Sequence, residues 1–116
     1  ARDLQNNLKT KGKPWEIAKG FDGSAKISTE FIKKNELILD NIDFSLKLNN
    51  EIVQNGNSSD MIFSFDKIIS YVSKFFTLKI GDIIFTGTPA GVGRIKKNDF
   101  LEGFLNRKKI LEVKIK

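Results

Sequence analysis

Phe44-Ser45-Leu46-Lys47-Leu48-Asn49-Asn50-Glu51-Ile52-Val53-Gln54 is the stretch on which the fold reading turns. Phe44, Leu46 and Leu48 alternate with Ser45 and Lys47, the period of a half-buried β-strand. Asn49-Asn50 follows, and asparagine tolerates the left-handed backbone that a tight hairpin turn demands. Glu51 to Gln54 returns as the second strand, and Gly56 with Asn57 is expected to open a loop.

Working outward, the C-terminal residues Leu111, Val113 and Ile115 alternate with Glu112, Lys114 and Lys116, which predicts a final strand. Ile83-Ile84-Phe85 is a continuous apolar run, expected as a strand buried on both faces. Between these strands, Phe65, Ile68, Ile69, Val72 and Phe76 fall on one face at helical spacing. Ser64 is the expected N-cap, with Asp66 in the first turn facing the positive end of the helix dipole. Near the start, Leu4 and Leu8 at i,i+4 suggest a short helix over Asp3 to Lys9, broken by Lys11-Gly12-Lys13-Pro14. Ala25 to Leu39 reads as a short strand followed by a lysine-rich loop. The fold class is β-rich α+β, with one clear helix near 64–76.

The 116 residues are 40% hydrophobic, enough for one core. No apolar run approaches the roughly 20 residues of a membrane span, and no signal-peptide pattern opens the chain. With no cysteine there is no disulfide framework, and a cytoplasmic location is the default expectation. The net charge of +6 raises the question of nucleic acid. The basic residues are nearly all lysine, however, with only Arg2, Arg94 and Arg107 as arginine. They are scattered rather than clustered between aromatics, so a solvated surface is the reading and no nucleic-acid partner is expected. The absence of histidine excludes a Ser-His-Asp triad, a Cys-His dyad and a histidine-rich zinc site within this chain. Any metal held here would need oxygen ligands, as Mg²⁺, Mn²⁺ or Ca²⁺ do.

Two segments carry candidate chemistry. Thr86-Gly87-Thr88-Pro89-Ala90-Gly91-Val92-Gly93 ends the apolar run with three glycines, two threonines and a proline. Such a loop can aim main-chain N–H groups and threonine hydroxyls at an anion, although composition alone favours an ordinary glycine-rich turn. In Lys11-Gly12-Lys13-Pro14-Trp15-Glu16-Ile17-Ala18-Lys19-Gly20-Phe21-Asp22, Lys19 lies between small and aromatic residues. A partly desolvated lysine there would suit a carboxylate or enolate, while a snorkelling surface lysine is the simpler reading. Trp15 reads as core rather than as a platform for substrate.

Taken in order, Ala1-Arg2-Asp3-Leu4-Gln5, the Lys11 to Asp22 run, Gln54 with Asn57-Ser58-Ser59-Asp60-Met61-Ile62-Phe63, and Gly81 to Gly93 resemble the fumarylacetoacetate hydrolase family. The likeness runs over about residues 1–100 and is closest to the acylpyruvase, oxaloacetate decarboxylase and catechol-pathway isomerase branch. It implies that residues 1–116 are part of a catalytic domain built as a mixed β-roll. It also implies Mg²⁺ or Mn²⁺ held by two Glu and one Asp, and a His-Glu pair on a lid. None of these ligands matches a position here; they are expected upstream, and Asp3 belongs to a different motif. The residues that do match are Gln5, similar to a substrate-contacting glutamine, and Lys19, similar to the catalytic lysine beside the metal. Thr88, with Gly87 beside it, is similar to the threonine that grips a substrate carboxylate.

The pattern departs from the family at Lys26, where proline is frequent, and at Asn50 and Asn98, where glycine is usual. Asn106-Arg107-Lys108-Lys109 stands where a glycine-rich stretch is expected. The implied function is metal-dependent hydrolysis, decarboxylation or isomerisation of small oxo-acids or 1,3-dicarbonyl acids. The alternative is a truncated, inactive piece that only associates with a partner chain. A homodimer or a complementary upstream fragment is the expected partner, and no membrane is involved. With no ligand set of its own, the isolated chain is expected to bind Mg²⁺ no better than an acidic surface patch. Titration calorimetry checks this, and one stoichiometric micromolar site would refute it.

Overall fold

In the computed structural model, which describes residues 1–116, strands β1 (Asp43–Leu48) and β2 (Glu51–Asn57) form the antiparallel hairpin. Asn49 and Asn50 join them at φ of 50° and 73°, the left-handed pair whose twist matches the flanking strands. Contrary to the sequence reading, β2 continues through Gly56 and Asn57. Phe44 explains why: it pairs with Gly56, and a Cβ on Gly56 would lie 2.8 Å from Phe44 Cζ. Here glycine makes room for a cross-strand aromatic ring instead of breaking the strand.

A second hairpin, β3 (Phe100–Leu105) and β4 (Lys108–Lys114), pairs along the other edge of β1. The sheet is antiparallel throughout, in the order β2-β1-β3-β4. β4 is the expected final strand; β3 was not foreseen. Asn106 and Arg107 turn this hairpin at φ of 45° and 68°, so the stretch that departs from the family pattern adopts the left-handed turn without glycine. The two hairpins are tied end to end. Asn49 donates through Nδ2 to the Asp99 carboxylate at 2.9 Å and accepts from the Phe100 N–H at 2.9 Å. The bond from Asn49, with a second from the Lys96 N–H, holds the Asp99 pKa below its usual value.

Residues paired across antiparallel strands share a face, so the register sorts the sheet. Phe44, Leu46 and Leu48 share one face with Leu101, Leu105, Leu111 and Val113. The opposite face carries Lys47, Glu102, Phe104, Lys109 and Glu112. There Lys109 bridges Glu112 at 2.7 Å and Glu102 at 3.1 Å, bonds that raise its pKa, Glu112 foremost. Lys47 Nζ sits 5.0 Å from the Phe104 ring centroid. One face is apolar and half-buried; the other is a charged lattice suited to water.

Each outer strand carries one bulge. The register passes from Leu46–Gln54 to Lys47–Ile52, leaving Val53 as the extra residue, and from Gly103–Leu111 to Phe104–Lys109, leaving Ile110. A bulge frees backbone groups from the ladder, and distant segments meet both residues. Ser28 donates its hydroxyl to the Ile110 carbonyl, and Gly91 packs against the Val53 carbonyl.

The helices are short. Helix α1 spans Arg2–Thr10, close to expectation. Helix α2 spans Phe65–Val72, capped by Ser64 Oγ accepting from the Lys67 N–H at 3.4 Å. It ends four residues earlier than the apolar periodicity suggested, passing into turns over 73–75. Ala25 to Leu39 contains a single 3-10 turn at Lys34–Glu36 and no strand. Ile83-Ile84-Phe85 is also not a strand. No strand of this chain flanks it to supply a ladder, and Ile83 and Phe85 are exposed. No helix is long and apolar enough to cross a membrane.

Only Ala18, Ile42, Gln5 and Ser58 are buried. The accessible surface is 9657 Å², against about 6,400 Å² for a folded monomer of this mass. The radius of gyration is 15.8 Å, where about 13 Å is usual for this length. Ile62, Phe63, Phe75, Phe76, Ile80 and Phe85 all stand in solvent, a surface that favours association. The isolated chain is therefore expected to dimerise, take up a partner segment or aggregate. Sedimentation showing one compact 13.1 kDa species with cooperative unfolding, up to about a millimolar, would refute this.

Candidate active site

Gln5 is the one buried residue of α1. Its Oε1 accepts from Arg2 Nη1 at 3.2 Å, and its N–H donates to the Ala1 carbonyl at 2.9 Å. The main-chain nitrogen of Ala1 donates to the Ala18 carbonyl at 2.9 Å, which docks the 3-10 turn Glu16–Ala18 against the helix. Ala18 is 3% exposed, and its small side chain permits that approach. Lys19 follows directly, its N–H bonded to the Glu16 carbonyl at 2.9 Å.

Trp15, read from sequence as core, is 39% exposed. Its ring centroid lies 5.1 Å from Lys19 Nζ and 6.0 Å from Lys9 Nζ, so the ring serves as a cation platform. Lys19 is itself exposed. That is the simpler of the two readings of Lys19; a desolvated setting is not made by these residues alone.

The glycine-threonine loop, residues 86–93, is fixed from β2. Gln54 Nε2 donates to Thr88 Oγ1 at 2.9 Å, to the Pro89 carbonyl at 3.1 Å and to the Ala90 carbonyl at 3.4 Å. Gly91 sits at φ 97°, and a Cβ there would fall 1.9 Å from the Val53 carbonyl oxygen. Only glycine allows this backbone to lie against the bulge. Gly87 is also left-handed, at φ 112°, but faces open space.

Two cavities flank the loop. One, of about 850 Å³, is walled by Arg2, Asp3, Gln5 and Lys19 from the N-terminal segment and by Val92 and Arg94 from the loop's far end. The other, of about 450 Å³, is lined by Gly87, Thr88 and Pro89 with Phe44, Gly56 and Ser58. Gln5 and Lys19 therefore meet in one cavity, while Gly87 and Thr88 line its neighbour, with the loop running between them. No three Asp or Glu side chains converge anywhere in the chain, so its own residues do not fit a carboxylate-held divalent cation. Sequence reasoning passed over Arg2 and Arg94 as site residues. The available signal was compositional: in a chain of 20 Lys and Arg only three are Arg, and two of those three line this cavity.

Comparison with known proteins finds relatives of this chain. The family model described as fumarylacetoacetate (FAA) hydrolase C-terminal matches residues 1–116. The chain is 48% identical to the mitochondrial oxaloacetate tautomerase FAHD1 of Bos taurus, over all of this chain and 52% of that protein. It is 47% identical to the oxaloacetate tautomerase YcgM of Escherichia coli, over 86% of this chain and 46% of that protein. A crystal structure of a fumarylacetoacetate hydrolase family protein from Yersinia pestis CO92 superposes with a TM-score of 0.90 at 47% identity, covering 99% of this chain and 54% of that one. Fumarylpyruvate hydrolase from Pseudomonas aeruginosa, in complex with Mn²⁺ and pyruvate, gives a TM-score of 0.88 at 35% identity, covering 98% of this chain and 49% of that one. The chain spans about half the length of the curated relatives it matches.

Gly91→Ala is expected to lift the loop from β2 and to destabilise the whole protein by about 2 kcal/mol or more. Gly87→Ala, which meets no atom, should cost less. Denaturant unfolding and hydrogen exchange over 86–93 test the pair, and equal stabilities would show that the contact with Val53 is dispensable.

Proposed function

Since the chain belongs to the fumarylacetoacetate hydrolase family, we propose that it forms half of an enzyme site that enolises small 2-oxo acids, with oxaloacetate-like acids as the leading substrate class. The observation that carries this reading is the meeting of Lys19, Arg2 and buried Gln5 in one cavity, in a chain so similar to oxaloacetate tautomerases. Such relatives and the fumarylpyruvate hydrolase are enzymes acting on 2-oxo acids, whose shared chemistry is an enolate. When a proton leaves C3, negative charge develops on the 2-oxo oxygen, and a positioned ammonium stabilises that charge.

Each residue has a part in the proposal. Lys19, held over Trp15, is the cation facing the enolate oxygen. Gln5, oriented through Arg2, offers its carboxamide to the substrate. Thr88 Oγ1 accepts from Gln54, which leaves its own O–H proton free to donate to a carboxylate. Gly87, with no atom within 4 Å of where its Cβ would stand, leaves room for close approach. The reading includes Mg²⁺ or Mn²⁺ in the whole protein, held by carboxylates outside these 116 residues; the base for the C3 proton is also assigned there. A second reading, a chain that is inactive alone and works only when associated, is favoured by the extent of exposed apolar surface.

In the full-length protein, Lys19→Ala should lower kcat for oxaloacetate tautomerisation by about 100-fold or more, with a smaller change in KM. The enol absorbance reports the rate directly, and an unchanged kcat would overturn the assignment.

A further inference from the structure

We infer that Arg94 binds the distal carboxylate of a dicarboxylic 2-oxo acid and thereby sets a preference for dicarboxylic over monocarboxylic substrates. This rests on the 2-oxo acid reading above and goes beyond it in naming the determinant of substrate class. Three cations, Arg2, Lys19 and Arg94, line the larger cavity against a single carboxylate, Asp3. The cavity thus carries an excess of positive charge suited to a dianion.

Two of the three cations are already engaged within the protein. The Arg2 guanidinium donates to Gln5, and the Lys19 ammonium rests over Trp15. Arg94 takes part in none of the ion pairs or side-chain hydrogen bonds of the chain, which leaves its full set of donors for a ligand. It also comes from a different element. Arg2 and Lys19 belong to the N-terminal segment, whereas Arg94 follows directly on the loop that Gln54 and Gly91 fix to β2. Charge supplied from two separate elements suits the two ends of one substrate better than a single carboxylate.

The residue type fits the task. Where a charge has only to be solvated, this chain uses lysine; arginine appears three times. A guanidinium presents a planar fork that binds a carboxylate through two parallel hydrogen bonds, which an ammonium does not. A site built to receive a second carboxylate discriminates against an analogue lacking it, because its donors are then left unpaired.

The test compares the full-length wild type with Arg94→Ala and Arg94→Lys, with Mg²⁺ present. Calorimetry measures the binding of 2-oxoglutarate and of its monocarboxylic counterpart 2-oxobutyrate, and turnover is followed separately with oxaloacetate. Arg94→Ala should weaken 2-oxoglutarate about 10- to 100-fold while 2-oxobutyrate shifts by less than about 3-fold, with Arg94→Lys between. Equal losses for both ligands, no loss for either, or a wild type that binds neither would overturn the inference. A wild type that shows the Arg94-dependent preference yet turns over no 2-oxo acid would instead overturn the enolisation reading and leave this one standing. Because Arg94 is exposed, the variants should fold, and circular dichroism verifies that.

Discussion

The carboxamide of Gln54 shares its hydrogens among three oxygens, of Thr88, Pro89 and Ala90, and the geometry of the candidate site depends on that sharing. A segment with two threonines, a proline and three glycines has no ladder and little side-chain packing to hold it. The anchor comes from β2, whose bulge at Val53 lets Gly91 settle against a main-chain oxygen. Pro89 then approaches the Phe44 edge of the sheet, within 3.4 Å of where a Cβ on Gly56 would stand. One side chain and two missing side chains thus hold the loop between two cavities.

The sheet beneath it is asymmetric in chemistry. Its charged face is complete in itself: Lys109 satisfies two carboxylates, and Lys47 covers Phe104. The apolar face is not, because α2 does not pack extensively on any strand and the 83–85 segment adds no strand. The fold therefore presents a finished exterior on one side and an unfinished interior on the other. The candidate site lies among segments whose apolar residues, such as Phe21 and Ile95, are half in solvent.

Local chemistry was legible in the sequence wherever it was periodic or conformationally special. The hairpin at 44–54 followed from alternation and two asparagines, and α2 from its spacing and the Ser64 cap. Strand β3 escaped because Leu101 and Leu105 point to one face and Phe100 and Phe104 to the other, so no alternation survives. Ile83-Ile84-Phe85 misled because an apolar run states a need for cover without saying what supplies it. Of the site, Gln5 was visible only through the family likeness, whereas Lys19 and the loop carrying Thr88 were suggested by their local chemistry and given roles by the likeness. Arg2 and Arg94, far apart in sequence, have no periodic signature. The closeness of Gly91 to Val53 is a tertiary fact that no local pattern encodes.

The turns carry a consequence for the chain before it folds. Asn49, Asn50, Asn98 and Asn106 hold left-handed φ values, and at two of them, Asn50 and Asn98, the family pattern has glycine. Asparagine accepts that region at some steric cost, yet it explores far less conformational space than glycine when the chain is unfolded. The exchange at Asn50 narrows the denatured ensemble where β1 reverses into β2, and the one at Asn98 does so in the turn that leads into β3. The hairpins thus gain, from the disorder their unfolded chain never had, a contribution that no contact in the folded structure displays.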